Sequence, residues 1–219
     1  MGKLFIVATP IGNLKDITLR ALEVLKSVDL IACEDTRVTV KLLNHYEIKK
    51  PLVSFHEHTK IKKIENLISE LQIGKNIALV TDAGTPGIAD PGGVLVSEAI
   101  KNDIEVVPIP GVSALTTALS IAGFPSNEFI FLGYFPKKKG RQTLLKGIAQ
   151  EKRTIVFYES PHRILKTLDG LKEYLENREI VVCRELTKKF EEIYRGKVSD
   201  IIGKVKPKGE FVIVIKGKK

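Results

Sequence analysis

Short apolar runs rich in β-forming residues alternate with longer amphipathic stretches along most of the 219-residue chain. Such runs are typical of buried strands, and strands that alternate with helices favour parallel sheets flanked by helices. The pattern therefore predicts an α/β fold with mostly parallel sheets. Strands are predicted at 4–8, 29–33, 52–55, 77–81, 104–108, 129–133, 154–158, 179–183 and 211–215.

Two of the amphipathic stretches have the periodicity of helices. Residues 61–71 and 161–175 place apolar side chains three and four positions apart, which forms a single stripe on a helix. The second stretch opens at Pro161, and proline is favoured in the first turn of a helix. A segment rich in proline and glycine, 108–113, separates two comparable series of strands and helices. We therefore predict two α/β domains, residues 1–111 and 112–219.

The composition is that of a basic protein and is compatible with a polyanionic partner. The formal net charge is +9, and each phosphate that a lysine or arginine neutralises releases counterions. A lysine-rich surface without such a partner is the alternative. No apolar run is long enough to span a membrane, so we expect a cytoplasmic protein. Cys33 and Cys183 lie in apolar runs, which favours buried thiols over a disulfide or a metal site.

Several signatures of other chemistries are absent from the sequence. No G-x-G-x-x-G motif follows the first predicted strand, and no G-x-x-x-x-G-K-[ST] motif occurs. The zinc-protease motif H-E-x-x-H and the nucleophile elbow G-x-S-x-G are missing as well. These absences disfavour hydride transfer on a dinucleotide fingerprint, P-loop phosphoryl transfer, zinc proteolysis and serine hydrolysis.

Four predicted strands end in turns of glycine, proline and small residues. They lie at 9–13, 81–93, 108–114 and 159–163. In open α/β sheets ligands bind outside the carboxyl ends of the strands, where such turns meet. Glycine lets the backbone approach a ligand closely, and backbone N–H and C=O groups can bind an adenine edge or a ribose. A nucleoside-type ligand therefore suits these turns, although each one alone is also compatible with an ordinary tight turn.

Six segments, in this order along the chain, resemble the ribosomal small-subunit methyltransferase I family. That family belongs to the tetrapyrrole-methylase superfamily, in which two α/β domains hold S-adenosylmethionine in the cleft between them. The resemblance implies 2′-O-methylation of a cytidine ribose in small-subunit (16S) ribosomal RNA by a homodimer. The segments are ATPIGNLKDIT (8–18), CEDTR (33–37), TDAGTPGIADPG (81–92), PIPGVSA (108–114), YESPHR (158–163) and RELTKKFEE (184–192).

Two features distinguish the chain within that superfamily. The segment TPIGN (9–13) replaces the glycine-rich first loop of the tetrapyrrole enzymes, which favours the RNA-modifying branch. Many relatives are longer at the C-terminus, so some of their RNA contacts are expected to be supplied otherwise here. Carried over by motif, the residues expected to bind S-adenosylmethionine are Pro10, Asp82, Ala83, Gly84, Thr85, Ile88, Ser113, Ala114, Tyr158, Glu159 and Leu186.

Methylation of a ribose hydroxyl needs a group that removes its proton or a cation that lowers its pKa. The main candidates are Glu34, Asp35, Arg37 and Glu159. The others considered beside them are His56, Glu57, His162, Arg163 and Lys188. Glu34 and Asp35 directly follow a buried strand, where acids are uncommon. They are equally well placed to cap the helix predicted at 36–44, and this structural role stays open.

The loop at 137–141 places cations next to aromatic residues, a combination that binds phosphates and stacks bases. We therefore predict RNA contacts by Lys137, Lys138, Lys139, Arg141, His162 and Arg163. No metal site is expected, because His56 and His58 flank Glu57 without an evident third ligand. Two alternatives to an RNA methyltransferase remain: methylation of a tetrapyrrole-like small molecule, and an RNA-binding relative that has lost catalysis.

Overall fold

The computed structural model describes residues 1–56, 61–175 and 177–218. The chain divides into two compact units, Met1–Ser113 and Ala114–Lys219, and the domain boundary predicted at residue 111 lies close to this division. Each unit contains one five-stranded sheet covered by helices. The α/β class predicted from the alternation of strands and helices is therefore confirmed.

The N-terminal unit is a parallel sheet with strand order β3-β2-β4-β1-β5. One apolar core lies between a sheet face and α3 and α4, and a second lies between the other face and α1 and α2. Because all five strands run the same way, their carboxyl ends form one edge of the sheet. The elements are β1 (Lys3–Val7), α1 (Leu19–Ser27), β2 (Leu30–Cys33), α2 (Thr36–His45), β3 (Leu52–Ser54), α3 (Ile61–Gln72), β4 (Ile77–Val80), α4 (Gly92–Lys101) and β5 (Glu105–Ile109), with a short 3₁₀ helix at Leu14–Asp16.

The C-terminal unit has a mixed sheet with strand order β6-β7-β10-β8-β9. Its core packs the sheet against α6, α7 and α8. The elements are α5 (Ala114–Ala122), β6 (Phe129–Tyr134), α6 (Arg141–Gln150), β7 (Thr154–Glu159), α7 (Ile164–Leu175), β8 (Glu179–Arg184), β9 (Glu192–Lys197), α8 (Val198–Ile201) and β10 (Phe211–Ile215), with a short 3₁₀ helix at Ile202–Lys204.

The prediction of mostly parallel pairing is wrong for the C-terminal unit. Among the described strands of this unit only β6 and β7 pair in parallel, because β10 inserts antiparallel between β7 and β8, and β9 folds back on β8. Strand β9 was not predicted at all. Its sequence, EIYRGK, is polar and charged, as is common for edge strands that must not pair with another chain.

Of the two predicted helices, α3 begins at Ile61 as predicted, whereas the one predicted at 161–175 begins later. Helix α7 begins at Ile164, and Pro161 lies in the turn before it. Ile61, the first member of the stripe in α3, is 75% exposed, whereas Leu67 and Leu71 are buried. Helix α2 matches its prediction at 36–44, and α5 begins at Ala114.

The remaining predictions about the bulk of the chain concern thiols and membranes. Cys33 in β2 and Cys183 in β8 are both buried and unpaired, as predicted. Burial raises the pKa of Cys183 to about 12, which leaves its thiol protonated and unreactive. In the described parts of the chain, no helix has both the length and the apolar character that crossing a membrane requires.

Candidate functional site

The loops that follow β1 and β4 are joined side by side at the carboxyl edge of the N-terminal sheet. Thr9 and Gly84 exchange two backbone hydrogen bonds of 2.9 Å, and Thr9 Oγ1 donates to the carbonyl of Thr81 at 3.0 Å. Gly84 has a φ of +86°, a conformation that favours glycine because it strains any residue with a Cβ. The predicted first and second turns therefore form one rigid unit.

The loop after β5 is attached to the same unit. Thr85 Oγ1 donates to the carbonyl of Val112 at 3.2 Å. Gly111 lies so close to β1 that a Cβ there would come within 2.9 Å of the Ala8 Cβ, which makes glycine necessary at this position. Three of the four predicted turns are thus brought together by direct contacts.

Of the residues in these joined loops that were predicted to bind the methyl donor, Ala83 and Ile88 are exposed. Ala83 is exposed, and its backbone N–H donates to no residue within the described part of the chain. Ile88 is 43% exposed, whereas Pro10 is buried beneath the loop. Ser113 is half-buried at the end of the N-terminal unit, directly before Ala114 in the sequence. Exposed backbone groups beside glycine suit an adenosyl group, so the loops fit the predicted cofactor class.

Two acidic side chains lie at this edge and contact the ends of neighbouring strands. Glu34 follows β2, and its Oε2 accepts a 2.7 Å hydrogen bond from Thr81 Oγ1. Asp82 follows β4, and its Oδ1 accepts a 3.0 Å hydrogen bond from the backbone of Asp35. Burial raises the pKa of Asp82 above its ordinary value, and the charges of Glu34 and Asp35 act in the same direction. The site is therefore an acidic patch beside a glycine-rich loop.

Asp35 has the capping role that the sequence left open. Its side chain accepts the backbone N–H of Arg37 at 2.8 Å as the N-cap of α2, and Arg37 Nη2 pairs with its Oδ2 at 2.6 Å. Hydrogen bonds from Arg37 lower the pKa of Asp35 to about 2. A carboxylate held in this way is a weak proton acceptor near neutral pH. Of the two acids, Glu34 is the better candidate for that role.

Three further residues shape the loops, and the sequence analysis did not select them as site residues. Thr9 and Thr81 join the strand ends, and Asp90 Oδ1 accepts the backbone N–H groups of Gly87 and Gly92 at 2.7 Å each. The signal available in the sequence was the polar residue at each strand end, inside segments otherwise selected for their glycines.

In the C-terminal unit, Glu159 at the end of β7 is the centre of an internal network. It is 1% exposed, and its Oε2 accepts from Thr167 Oγ1 at 2.6 Å. Its Oε1 accepts from the backbone of Ser160 and pairs with Arg163 Nη2, both at 2.7 Å. Arg163 also donates to the carbonyl of Phe135 at 2.8 Å. Through these contacts, the side chains of Glu159 and Arg163 stabilise the turn after β7.

Aromatic rings lie beside this turn. Tyr158 packs edge-to-face against Phe131 and Tyr134, with ring centroids 5.0 Å and 5.5 Å apart. Tyr134 is 58% exposed, so this cluster reaches the surface. Leu186, another residue predicted to bind the donor, is 7% exposed and follows Glu185, whose φ is +54°.

The residues predicted to contact RNA fall into two groups. Lys137, Lys138 and Lys139 are exposed in the loop before α6, and His162 is exposed in the turn before α7. Arg141 is instead engaged internally, donating to the Lys166 carbonyl at 3.0 Å and lying 4.9 Å above the centre of the Phe135 ring. Like Arg163, it orders the surface that carries the exposed lysines.

The other candidates are placed as follows. Lys188 pairs with Glu185 and Glu210, each at 3.0 Å, and therefore stabilises the loop after β8. His56 is exposed after β3, whereas Glu57 and His58 lie outside the described residues. Within the ranges that the structure describes, no group of three potential metal ligands comes together.

Comparison with known proteins first defines the class. The sequence profile of the family described as tetrapyrrole (corrin/porphyrin) methylases matches residues 3–202. Among solved structures, a diphthine synthase has a TM-score of 0.80 at 14% sequence identity, and the match covers 100% of this chain and 91% of that one. At this identity the structural likeness concerns the fold alone. Fold and profile together define a methylase of the tetrapyrrole class.

Proteins named ribosomal RNA small subunit methyltransferase I are similar over the full chain. The one from Thermotoga maritima is 52% identical over 221 residues, and the match covers 100% of both chains. The one from Escherichia coli O157:H7 is 51% identical, and the match covers 100% of this chain and 79% of that protein. The chain therefore belongs to the ribosomal RNA small subunit methyltransferase I family.

Proposed function

We propose that the chain is a methyltransferase that methylates the ribose 2′-hydroxyl of a cytidine in small-subunit (16S) ribosomal RNA. The observation that carries this proposal is the identity of about 50% over the full chain to relatives named for that class of RNA. The segment TPIGN at the end of β1, without the glycine-rich loop of the tetrapyrrole enzymes, supports the same substrate.

S-adenosylmethionine is the methyl donor of this enzyme class, and when bound it supplies an activated methyl group on a sulfonium. The residues that would hold it in the N-terminal unit are those of the joined loops, Asp82 to Thr85 with Pro10 and Ile88. The exposed backbone of Ala83 offers hydrogen-bonding groups, and the φ of +86° at Gly84 sets the course of the loop that presents them. Ser113, Ala114, Tyr158, Glu159 and Leu186 are proposed as further residues that bind the donor.

Glu34 is the proposed general base. Its Oε2 is held by Thr81, whereas its Oε1 accepts no hydrogen bond from any residue that the structure describes. When the ribose hydroxyl takes up a methyl group, Glu34 Oε1 would accept the hydroxyl proton. Proton transfer of this kind contributes about 10²- to 10⁴-fold to a rate, and correct positioning supplies much of the remainder.

The exposed cations of the C-terminal unit are proposed to bind the RNA backbone. Lys137, Lys138 and Lys139 make no ion pair within the described ranges, so their charges are available to phosphates. His162 borders the same turn. Arg141 and Arg163 contribute by fixing this surface. A cytoplasmic homodimer is the proposed state of the enzyme, and sedimentation velocity of the purified chain tests the dimer.

Methyl transfer from radiolabelled S-adenosylmethionine tests the function, with small ribosomal subunits and naked ribosomal RNA offered in parallel. The expected result is label on one cytidine ribose, identified by mass mapping of nuclease fragments. Donor binding by calorimetry without label on RNA would contradict the RNA substrate and favour a small tetrapyrrole-like acceptor. RNA binding without donor binding would indicate a non-catalytic relative.

A further inference from the structure

The net positive charge of the protein comes from one of its two units. Met1–Ser113 contains 13 lysines and arginines against 14 aspartates and glutamates, whereas Ala114–Lys219 contains 22 against 12. The formal charges are therefore −1 and +10, so the C-terminal unit accounts for the whole excess. Affinity for a polyanion is expected to come from this unit.

A surface in that unit is lined by residues of the RELTKKFEE segment, of which the proposed function uses only Leu186. The loop after β8 holds this segment, and the start of β10 lies beside it because Phe211 pairs with Arg184. Phe211 also pairs with Glu159, so the same sheet edge contains the end of β7. The segment therefore lies on the edge that holds the proposed donor residues Tyr158 and Glu159.

A cavity of about 560 Å³ opens at this surface, in the size range of pockets that hold small organic groups. Phe190 lines it and is 65% exposed. The Nζ of Lys189 lies 5.7 Å from the centre of the Phe190 ring. An exposed ring beside a cation is the arrangement on which unpaired bases stack.

Some of the lysines around the cavity are not paired with its carboxylates and are available to a ligand. Its three carboxylates, Glu185, Glu191 and Glu192, are each held by a neighbouring cation or a backbone amide. In contrast, the Nζ of Lys208 makes no hydrogen bond or ion pair with any residue in the described ranges. The ammonium group of Lys189 lies over the Phe190 ring and makes no ion pair with a residue in the described ranges. The cavity can therefore accept an anionic ligand without first breaking an internal pair.

We propose that this surface, formed by Phe190, Lys189 and Lys208, binds single-stranded RNA, with one base stacked on Phe190 and the adjacent phosphates at the two lysines. This inference rests on the proposed RNA substrate and adds a second contact region to the loop at 137–139. A second copy of this chain is a poorer occupant. A symmetric interface would bring two copies of this basic surface together, and their like charges would repel each other.

Binding of a fluorescein-labelled single-stranded RNA and of small ribosomal subunits, followed by anisotropy and sedimentation, tests the surface. Phe190→Ala is expected to weaken binding about tenfold, and Phe190→Tyr is expected to retain most of it because the ring is kept. Lys208→Ala is expected to lower the slope of log affinity against log salt by about 0.7. The matched control is Lys172→Ala, another exposed lysine of the same unit, which lies in α7.

The outcomes separate this surface from the proposed function. If the wild-type chain neither binds nor methylates RNA, the proposed function fails together with the surface. If the wild-type chain methylates RNA while Phe190→Ala and Lys208→Ala behave like Lys172→Ala, only the surface is wrong. Loss of dimers in Phe190→Ala with unchanged RNA affinity would assign the surface to a second copy and overturn the inference. Melting temperatures confirm that each variant is folded.

Discussion

Thr81 Oγ1 donates a 2.7 Å hydrogen bond to Glu34 Oε2 and thereby joins the ends of β4 and β2. The Thr81 carbonyl in turn accepts from Thr9 Oγ1 at the end of β1. Three neighbouring strand ends are thus linked through one threonine. This link holds one oxygen of the Glu34 carboxylate, and the other oxygen is the one proposed to accept the hydroxyl proton.

Glu34→Gln is expected to lower kcat for methyl transfer by about 100-fold or more, because an amide cannot accept the hydroxyl proton. Donor affinity is expected to change less than about twofold, since the amide keeps the shape and the hydrogen bond from Thr81. Single-turnover methylation and calorimetry measure the two quantities. Asp35→Asn is the matched control, and an equal loss of kcat there would contradict the assignment of the base to Glu34.

Gly84→Ala is expected to weaken donor binding about tenfold or more, because alanine strains the φ of +86° and shifts the loop that exposes Ala83. A Cβ at Gly84 meets nothing closer than 3.5 Å, so the effect comes from the backbone rather than from a clash. Gly123→Ala has a comparable φ of +71° and open space around it. Calorimetry should show normal affinity in this control, and unchanged affinity in Gly84→Ala would move the donor site elsewhere.

The strands and the loops of the N-terminal unit were largely predictable from the sequence. The turns at 9–13 and 81–93 do meet at one edge, and in the other unit β10 matches its prediction at 211–215. The reason is that a parallel sheet buries both faces, which produces continuous apolar runs that end abruptly at glycine and proline. Hydrophobic runs and turn residues are local signals, so one sequence is enough to read them.

The side-chain partners were less predictable, because they depend on how the backbone folds around each residue. The segment YESPHR suggested functional roles for Glu159 and Arg163. In the structure the two side chains form an ion pair with each other. Asp35 and Arg37 likewise pair across one helix N-terminus. Strand β9 was missed because its pairing with β8 compensates for a weakly apolar sequence.

Replacing the three lysines at 137–139 together with alanine is expected to weaken RNA binding strongly. The salt slope should fall by about 0.7 for each phosphate that is no longer neutralised. Donor binding should not change, because these side chains are exposed and make no ion pair in the described structure. The control replaces three other exposed lysines of the same unit, Lys146, Lys166 and Lys172, with alanine, so that the two variants have equal charge. Similar slopes in both variants would show that only net charge matters.

The Glu159–Arg163 pair is expected to stabilise the C-terminal unit. Glu159→Gln leaves the arginine without its charged partner in a mostly buried setting, which is expected to cost about 2–3 kcal/mol in the free energy of unfolding. Arg163→Gln and the double variant complete a cycle whose coupling energy is expected to be about 1–3 kcal/mol. Urea denaturation measures all four proteins, and additive effects would mean that the two side chains act independently.

Acid is expected to destabilise the fold between about pH 5 and pH 2. Hydrogen bonds from Lys206 and Tyr194 lower the pKa of Glu192 to about 2, and Arg153 lowers that of Glu151 to about 2. Unfolded glutamates titrate near pH 4.3, so in this range the unfolded chain binds more protons, and stability falls as the pH falls. Melting temperatures at several pH values measure the effect. Glu192→Gln should melt lower at neutral pH and lose less on acidification, and an equal loss in this variant would contradict the role of Glu192.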